Sequence, residues 1–251
     1  MKKTHETGNV KNVANLEDLI SFCEGYATAY QPSNASIQLA ALQAVLMEAR
    51  SKITAVNTAA TEYNNATNER VMLFQPLRKF STRIVNALEA TGAAKLTVAN
   101  ARAIVRKIHG TKAHKDKHAE APLVPVEGII PAPAAKVISA AQTSYDSLTE
   151  HFARLVNHLQ AEPLYTPNEA DLKAAALDTL FTTMNTANTA VINKATALSN
   201  ARMARNHFLY DSNTGVHHLV QEVKKYIKSV FGATSPEYRQ VSKIMFTKVR
   251  I

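Results

Sequence analysis

Nine histidines, one cysteine and an excess of Lys and Arg that leaves a net charge of +9 are the residues from which this 251-residue chain would have to build chemistry. His109, His114 and His118 form the one dense histidine group, and His114 and His118 are four apart, so a helix would place both imidazoles on one face as a metal site needs. Lys112, Lys115 and Lys117 lie among them, however, and their charge opposes a bound cation. His217 and His218 are adjacent and would splay about 100° apart on a helix. His151 and His158, seven apart, share a face but have no third ligand in view and read as interfacial or exposed. Cys23 has no His or acid pairing nearby and reads as a small buried apolar residue. As the single cysteine it cannot close an internal disulfide, so nothing points to an oxidising compartment.

The motifs of common reaction classes are missing from the sequence. Its seven glycines make neither G-x-G-x-x-G nor a P-loop, and no G-x-S-x-G elbow occurs. The long helices carry no Glu-x-x-His of the di-iron type. The expectation is a protein that is not an enzyme, with no catalytic residues, no metal and no cofactor.

What remains is the distribution of charge. Residues 70–118 hold eleven Lys or Arg against two acids, and residues 202–251 hold nine against three, which leaves the rest of the chain net acidic. Arg78, Lys79, Arg83, Arg102, Arg106 and Lys107, with Lys224, Lys225, Lys228, Lys243, Lys248 and Arg250, are therefore the candidate anion- or partner-binding residues. Phe80, Tyr226, Phe231, Tyr238 and Phe246 lie among them, but at helical spacing they read first as core.

The elements that must position these cations come from an internal repeat. Residues 30–70 align without a gap on residues 165–205, with 14 identities in 41 pairs. Six of these are Ala on Ala, so the weight falls on the other eight: Tyr30, Pro32, Leu42, Thr54, Val56, Thr61, Asn65 and Arg70. Each copy reads as four helices. The first spans about residues 16–28, with Asn15 as N-cap, and about Ser139 to Gln160 in the second copy. The second begins at the Tyr-x-Pro signal, where Thr166, Pro167 and Glu169 have a capping-box pattern, and runs about forty residues as a rod to Phe74 and to Tyr210. Leu42, Leu46, Ala49, Ile53, Val56, Ala60 and Tyr63, and the aligned Leu177 to Leu198 set, make the seam of a coiled-coil-like contact in which Asn188 either sets register between the rods or is merely tolerated. A third helix ends at the glycine C-caps Gly92 and Gly232, and a fourth spans about Leu96 to His109 and about Ser235 to Val249. The five residues from Asp211 to Gly215, DSNTG, form a loop that the first copy lacks.

The expected fold is thus all-α: an elongated helical bundle of two tandem pseudo-repeats, residues 1–110 and 139–251, joined by a Pro- and Lys-rich linker, 111–138. Residues 1–12 lack the apolar stretch of a signal peptide, and no window reaches the roughly 20 apolar residues of a membrane span, so a cytoplasmic location is expected. The expected function is that of a non-enzymatic structural or interaction protein that binds itself, as a homo-oligomer or filament, or another protein through basic arms. The first alternative is nucleic-acid binding by the third and fourth helices, although no helix-turn-helix, zinc-finger or RNA-recognition signature is present. A pore-forming or membrane-active protein using the apolar stretch of the linker is a more remote one.

Overall fold

A computed structural model describes residues 8–110 and 143–248. All regular structure among the described residues is helical. The expected linker, the expected start of a second repeat before Thr143, and His114, His118 and Arg250 lie outside them. The α-helices run in the order α1 (Asn9–Gly25), α2 (Leu39–Phe74), α3 (Leu77–Ala90), α4 (Lys95–His109), α5 (Tyr145–Gln160), α6 (Ala174–Tyr210), α7 (Val216–Phe231) and α8 (Pro236–Ser242). Among the described residues, no helix is long and apolar enough to cross a membrane.

The rods α2 and α6 have 36 and 37 residues, about 55 Å at 1.5 Å per residue. Neither begins at the Tyr-x-Pro signal. In both places the chain first makes a single 3-10 turn, Ala35–Ile37 and Ala170–Leu172. The cause is a buried tyrosine hydroxyl that holds a carbonyl seven residues ahead: Tyr30 Oη donates to Ile37 O at 2.6 Å, and Tyr165 Oη donates to Leu172 O at 2.8 Å. The capping box at Thr166, Pro167 and Glu169 does not form: Thr166 and Pro167 lie in irregular chain before that turn, and Glu169 is the N-cap of the turn with no side-chain capping bond. At its far end α2 continues into α3 as a 52-residue helix bent at Pro76, where the proline has no N–H for the helical ladder.

Three other expectations are corrected. Asn15 lies inside α1, which starts at Asn9, and is buried rather than capping. The last helix does not reach Val249: α8 stops at Ser242, and residues 244–248 are non-helical. Gly92 has the positive φ of +78° expected of a C-cap, whereas Gly232, at φ +94° and ψ 158°, is not left-handed helical.

The described chain divides into two compact units, residues 1–65 with 193–251 and residues 66–192. Each has its own core. In the first, Leu16, Leu19 and Cys23 of α1 and Leu42, Leu46 and Ala49 of α2 pack with Leu209 and Tyr210 of α6, Val220, Val223 and Ile227 of α7, and Val241 of α8. In the second, Phe152, Leu155 and Leu159 of α5 and Leu177 and Met184 of α6 pack with Phe74 of α2, Ile84 and Leu88 of α3, and Val98, Ala101, Val105 and Ile108 of α4. The front of each rod and the rear of the other therefore belong to the same core. Length makes this possible. A helix of 17 residues, about 25 Å long, covers less than half of a rod, so the rear of each rod must find its cover elsewhere.

Candidate interaction surface

In the second unit the candidate cations sit on a helical hairpin. Antiparallel α3 and α4 are joined by residues 91–94 and stapled at the open end by His109, whose Nε2 lies 2.9 Å from Arg78 O and 3.3 Å from Ser81 Oγ. A carbonyl only accepts, so Nε2 carries the proton in this arrangement. The staple brings the first turn of α3, with Arg78 and Lys79, to the last turn of α4, with Arg106 and Lys107, and all four side chains are exposed. Arg106 and Lys107 suit the negative end of the α4 dipole, and Arg78 and Lys79 lie just past the Pro76 bend between α2 and α3. Arg83 and Arg102 form ion pairs within the unit. Arg83 forms a forked ion pair with Asp171, and Arg102 Nη2 lies 2.5 Å from Glu89 Oε2.

The first unit uses its cations differently. Lys224, half-buried on α7, donates from Nζ to Ile244 O at 2.5 Å, and desolvation lowers its pKa. Lys225 pairs with Glu222 at 2.9 Å, and Lys228 lies 5.8 Å from the centre of the Tyr238 ring. Lys243 closes α8, and Lys248 ends the described chain; both are exposed. Phe80 packs on the second core, and Tyr226, Phe231, Tyr238 and Phe246 pack on the first, each partly buried at the edge of its core. What the fold assembles is one cationic hairpin end in the second unit and a looser set in the first.

Of the polar residues that do most to organise the first unit, Asn12 was not singled out from the sequence, and Asn15 was read only as an N-cap. Asn12, 3% exposed on α1, donates from Nδ2 to Tyr210 Oη at 2.9 Å and to Thr247 O at 2.8 Å, and accepts from Thr247 N at 3.1 Å. Asn15, one turn on, donates to Met245 O at 2.6 Å. These buried amides explain why α8 is short. They require free main-chain groups, and a continuing helix would have used its own N–H and C=O groups internally. Extending the stripe Leu16, Leu19, Cys23 back by one turn reaches Asn12 and Asn15, so the spacing did carry the signal.

In the second unit, Asn188 donates to Thr149 Oγ1 at 3.2 Å and to Asp146 Oδ1 at 3.3 Å. Its partners are thus on α5 and not on the other rod. The Arg70 guanidinium lies 4.1 Å from the centre of the Tyr145 ring, beside a cleft of 450 Å³ lined by Phe74, Leu77, Arg78, Ile108, Tyr145 and Leu148 among others. His151 is buried in α5 with neither ring nitrogen hydrogen-bonded. Burial, then the nearby Lys107 and Arg154, lower its pKa against the opposing pull of Glu150.

Cys23 is buried as expected, and desolvation pushes its thiol up to about 12. Among the described residues, no three His, Cys, Asp or Glu side chains stand close enough together to hold a metal ion. The chemistry on offer is that of charge and main-chain recognition. No family model, no curated protein and no solved structure matches this chain.

Proposed function

We propose that the chain is a tandem duplication of one helical unit, acting as a non-enzymatic structural or interaction protein that assembles with further copies of itself or docks another protein. The observation that carries this proposal is the pair of tyrosine-locked turns. Tyr30 with Ile37 and Tyr165 with Leu172 repeat the same seven-residue hydrogen bond at an offset of 135, and each pair leads into a rod of nearly equal length. Two such units give two related sets of surfaces on one molecule, which suits a repeating contact between copies.

Complementary charge supports the same conclusion. Arg78, Lys79, Arg106 and Lys107 present cations at one end of a hairpin, while Asp18 is exposed on α1 beside Glu17, and Glu17, Glu24 and Glu48, also exposed, bond Arg50, Gln43 and Lys52 within the protein. Met47, Met72, Ile192 and Met203 of the rods are exposed by 60% or more and supply apolar area for an interface to cover. Sedimentation velocity with electron microscopy tests this. Larger species are expected at about 0.1 M salt and smaller ones at about 1 M, as the screening length falls from about 10 Å to about 3 Å. A chain that stays monomeric at every salt and protein concentration, and retains no protein partner, overturns it.

Nucleic-acid binding would rest mainly on the cationic hairpin end, with exposed Lys243 and Lys248 of the first unit, since Arg83, Arg102, Lys224 and Lys225 are already engaged within the protein. Its signature would be an affinity for DNA or RNA that falls steeply with salt through counterion release.

A further inference from the structure

Residues 244–248 form a strap that the first unit holds mainly by its backbone. Asn12 pairs with both main-chain groups of Thr247, Asn15 with the carbonyl of Met245, and Lys224 with the carbonyl of Ile244. Ile244 and Phe246 pack against the core, while the Met245 side chain is 58% exposed. The strap is tethered through α8, a helix of seven residues whose one buried residue is Val241. Among the described residues of the second unit no such strap is held: α5 packs on a regular helix, α4, and its buried stripe Thr149, His151, Phe152 and Leu155 matches Val13, Asn15, Leu16 and Leu19 of α1, so that Leu148 and His151 stand where Asn12 and Asn15 do.

We propose that this dock on α1 and α7 is an exchange site, which accepts the strap of a second copy of the chain in place of its own and so links one copy to the next. The dock grips main-chain atoms through side-chain amides and an ammonium, so a strap arriving from another copy makes every bond that the resident strap makes. Leaving the dock uncovers the part of the first core under Ile244 and Phe246, which an incoming strap covers again, while α8 stays held by buried Val241, by Tyr238 against the core and by Tyr26 Oη, which donates to Glu237 O at 3.0 Å. Which strap occupies the site is then set by concentration, since the tether raises the effective concentration of the resident one. The inference names the contact for the self-assembly proposed above and rests on that proposal.

A complementation experiment with full-length chains tests it. In one variant, Asn12→Leu with Asn15→Leu, the dock is lost and the strap is intact. In the other, Phe246→Asp with Thr247→Pro, the strap is lost and the dock is intact. Neither can close on itself or pair with its own kind through this site, but the strap of the first fits the dock of the second. Native mass spectrometry of an equimolar mixture is expected to show a heterodimer at the sum of the two masses that neither variant yields alone. A mixture containing no heterodimer overturns the proposal. If circular dichroism shows that a double variant does not fold, Asn12→Ser and Thr247→Pro replace the pairs, read by the same outcome. A wild-type chain that is always monomeric, alongside variants that complement, would sustain the dock and remove the assembly. Wild-type assembly without complementation would do the reverse.

Discussion

If the two tyrosine-locked turns are equivalent, removing their hydroxyls must cost each unit a similar amount. Tyr30 is 4% exposed and Tyr165 is 7% exposed, and each donates to a main-chain carbonyl at the foot of its rod. Phenylalanine fills the same volume, so Tyr30→Phe and Tyr165→Phe leave no cavity, and only the hydrogen bond is lost. A buried carbonyl left without its donor costs about 1–3 kcal/mol. The Tyr30 ring also meets Tyr226 edge-on with centroids 5.3 Å apart, and its hydroxyl contacts the Cys23 thiol. The ring contact survives in Phe, whereas the thiol contact does not, which places Tyr30→Phe in the upper half of that range and Tyr165→Phe in the lower. In a protein of this size each kcal/mol moves the melting temperature by roughly 2–4 °C. The assay is chemical and thermal unfolding of wild type, both single variants and the double. Tyr30 belongs to the first unit and Tyr165 to the second, so their effects should add. A Tyr165→Phe chain as stable as wild type beside a Tyr30→Phe chain destabilised by 2 kcal/mol or so would refute the equivalence.

Gly215→Ala should destabilise by about 1–3 kcal/mol, because a Cβ there would lie 2.6 Å from the backbone N and O of Asp211; an unchanged denaturation midpoint would contradict this. His151 is held below its usual 6.5 by burial, so the unfolded chain takes up this proton first. The stability that neutral His151 permits is present above about pH 6.5 and is lost as pH falls through 6.5 towards the lower folded-state value, and His151→Leu should flatten the slope of urea midpoint against pH in that window. Cys23, with its thiol pushed from 9.0 to about 12, should react with a disulfide reagent near pH 8 roughly a thousandfold more slowly than a free thiol of pKa 9.0, and complete labelling of the native protein within minutes would count against this burial. Lys79→Glu with Lys107→Glu should weaken low-salt assembly while leaving the melting temperature within a few degrees, since both side chains are exposed. Sedimentation unaffected by this charge reversal would clear the hairpin end of a role.

Much of the architecture can be read from hydrophobic spacing. The stripe Leu42, Leu46, Ala49, Val56 is buried where α2 is helical, and Leu177, Met184, Val191 and Leu198 repeat it on α6. The rod ends at Phe74 and Tyr210, the DSNTG break and the end of α3 before Gly92 fall within a residue or so of expectation. Rod starts were misplaced because the Tyr30 and Tyr165 hydroxyls hold carbonyls that a local capping pattern does not see. The candidate cations were identifiable by type but not by fate. Lys224 and Lys79 look alike in the sequence, yet one grips Ile244 while the other stands in solvent.

Composition and period alone determined that this chain is helical, that its long helices are two in number and similar, and that positive charge gathers behind each of them. These are properties of neighbouring residues, and a helix needs only neighbours to form its ladder and its stripe. Which rod end shares a core with which helices was decided only in three dimensions. A rod covered along its whole length by its own neighbours in sequence and a rod that shares its rear with another set of helices bury the same apolar faces, so the pattern is silent between them. The same is true of residues 244–248, where local propensity favours another turn of helix and two buried amides on α1, more than 220 residues away, hold the chain open.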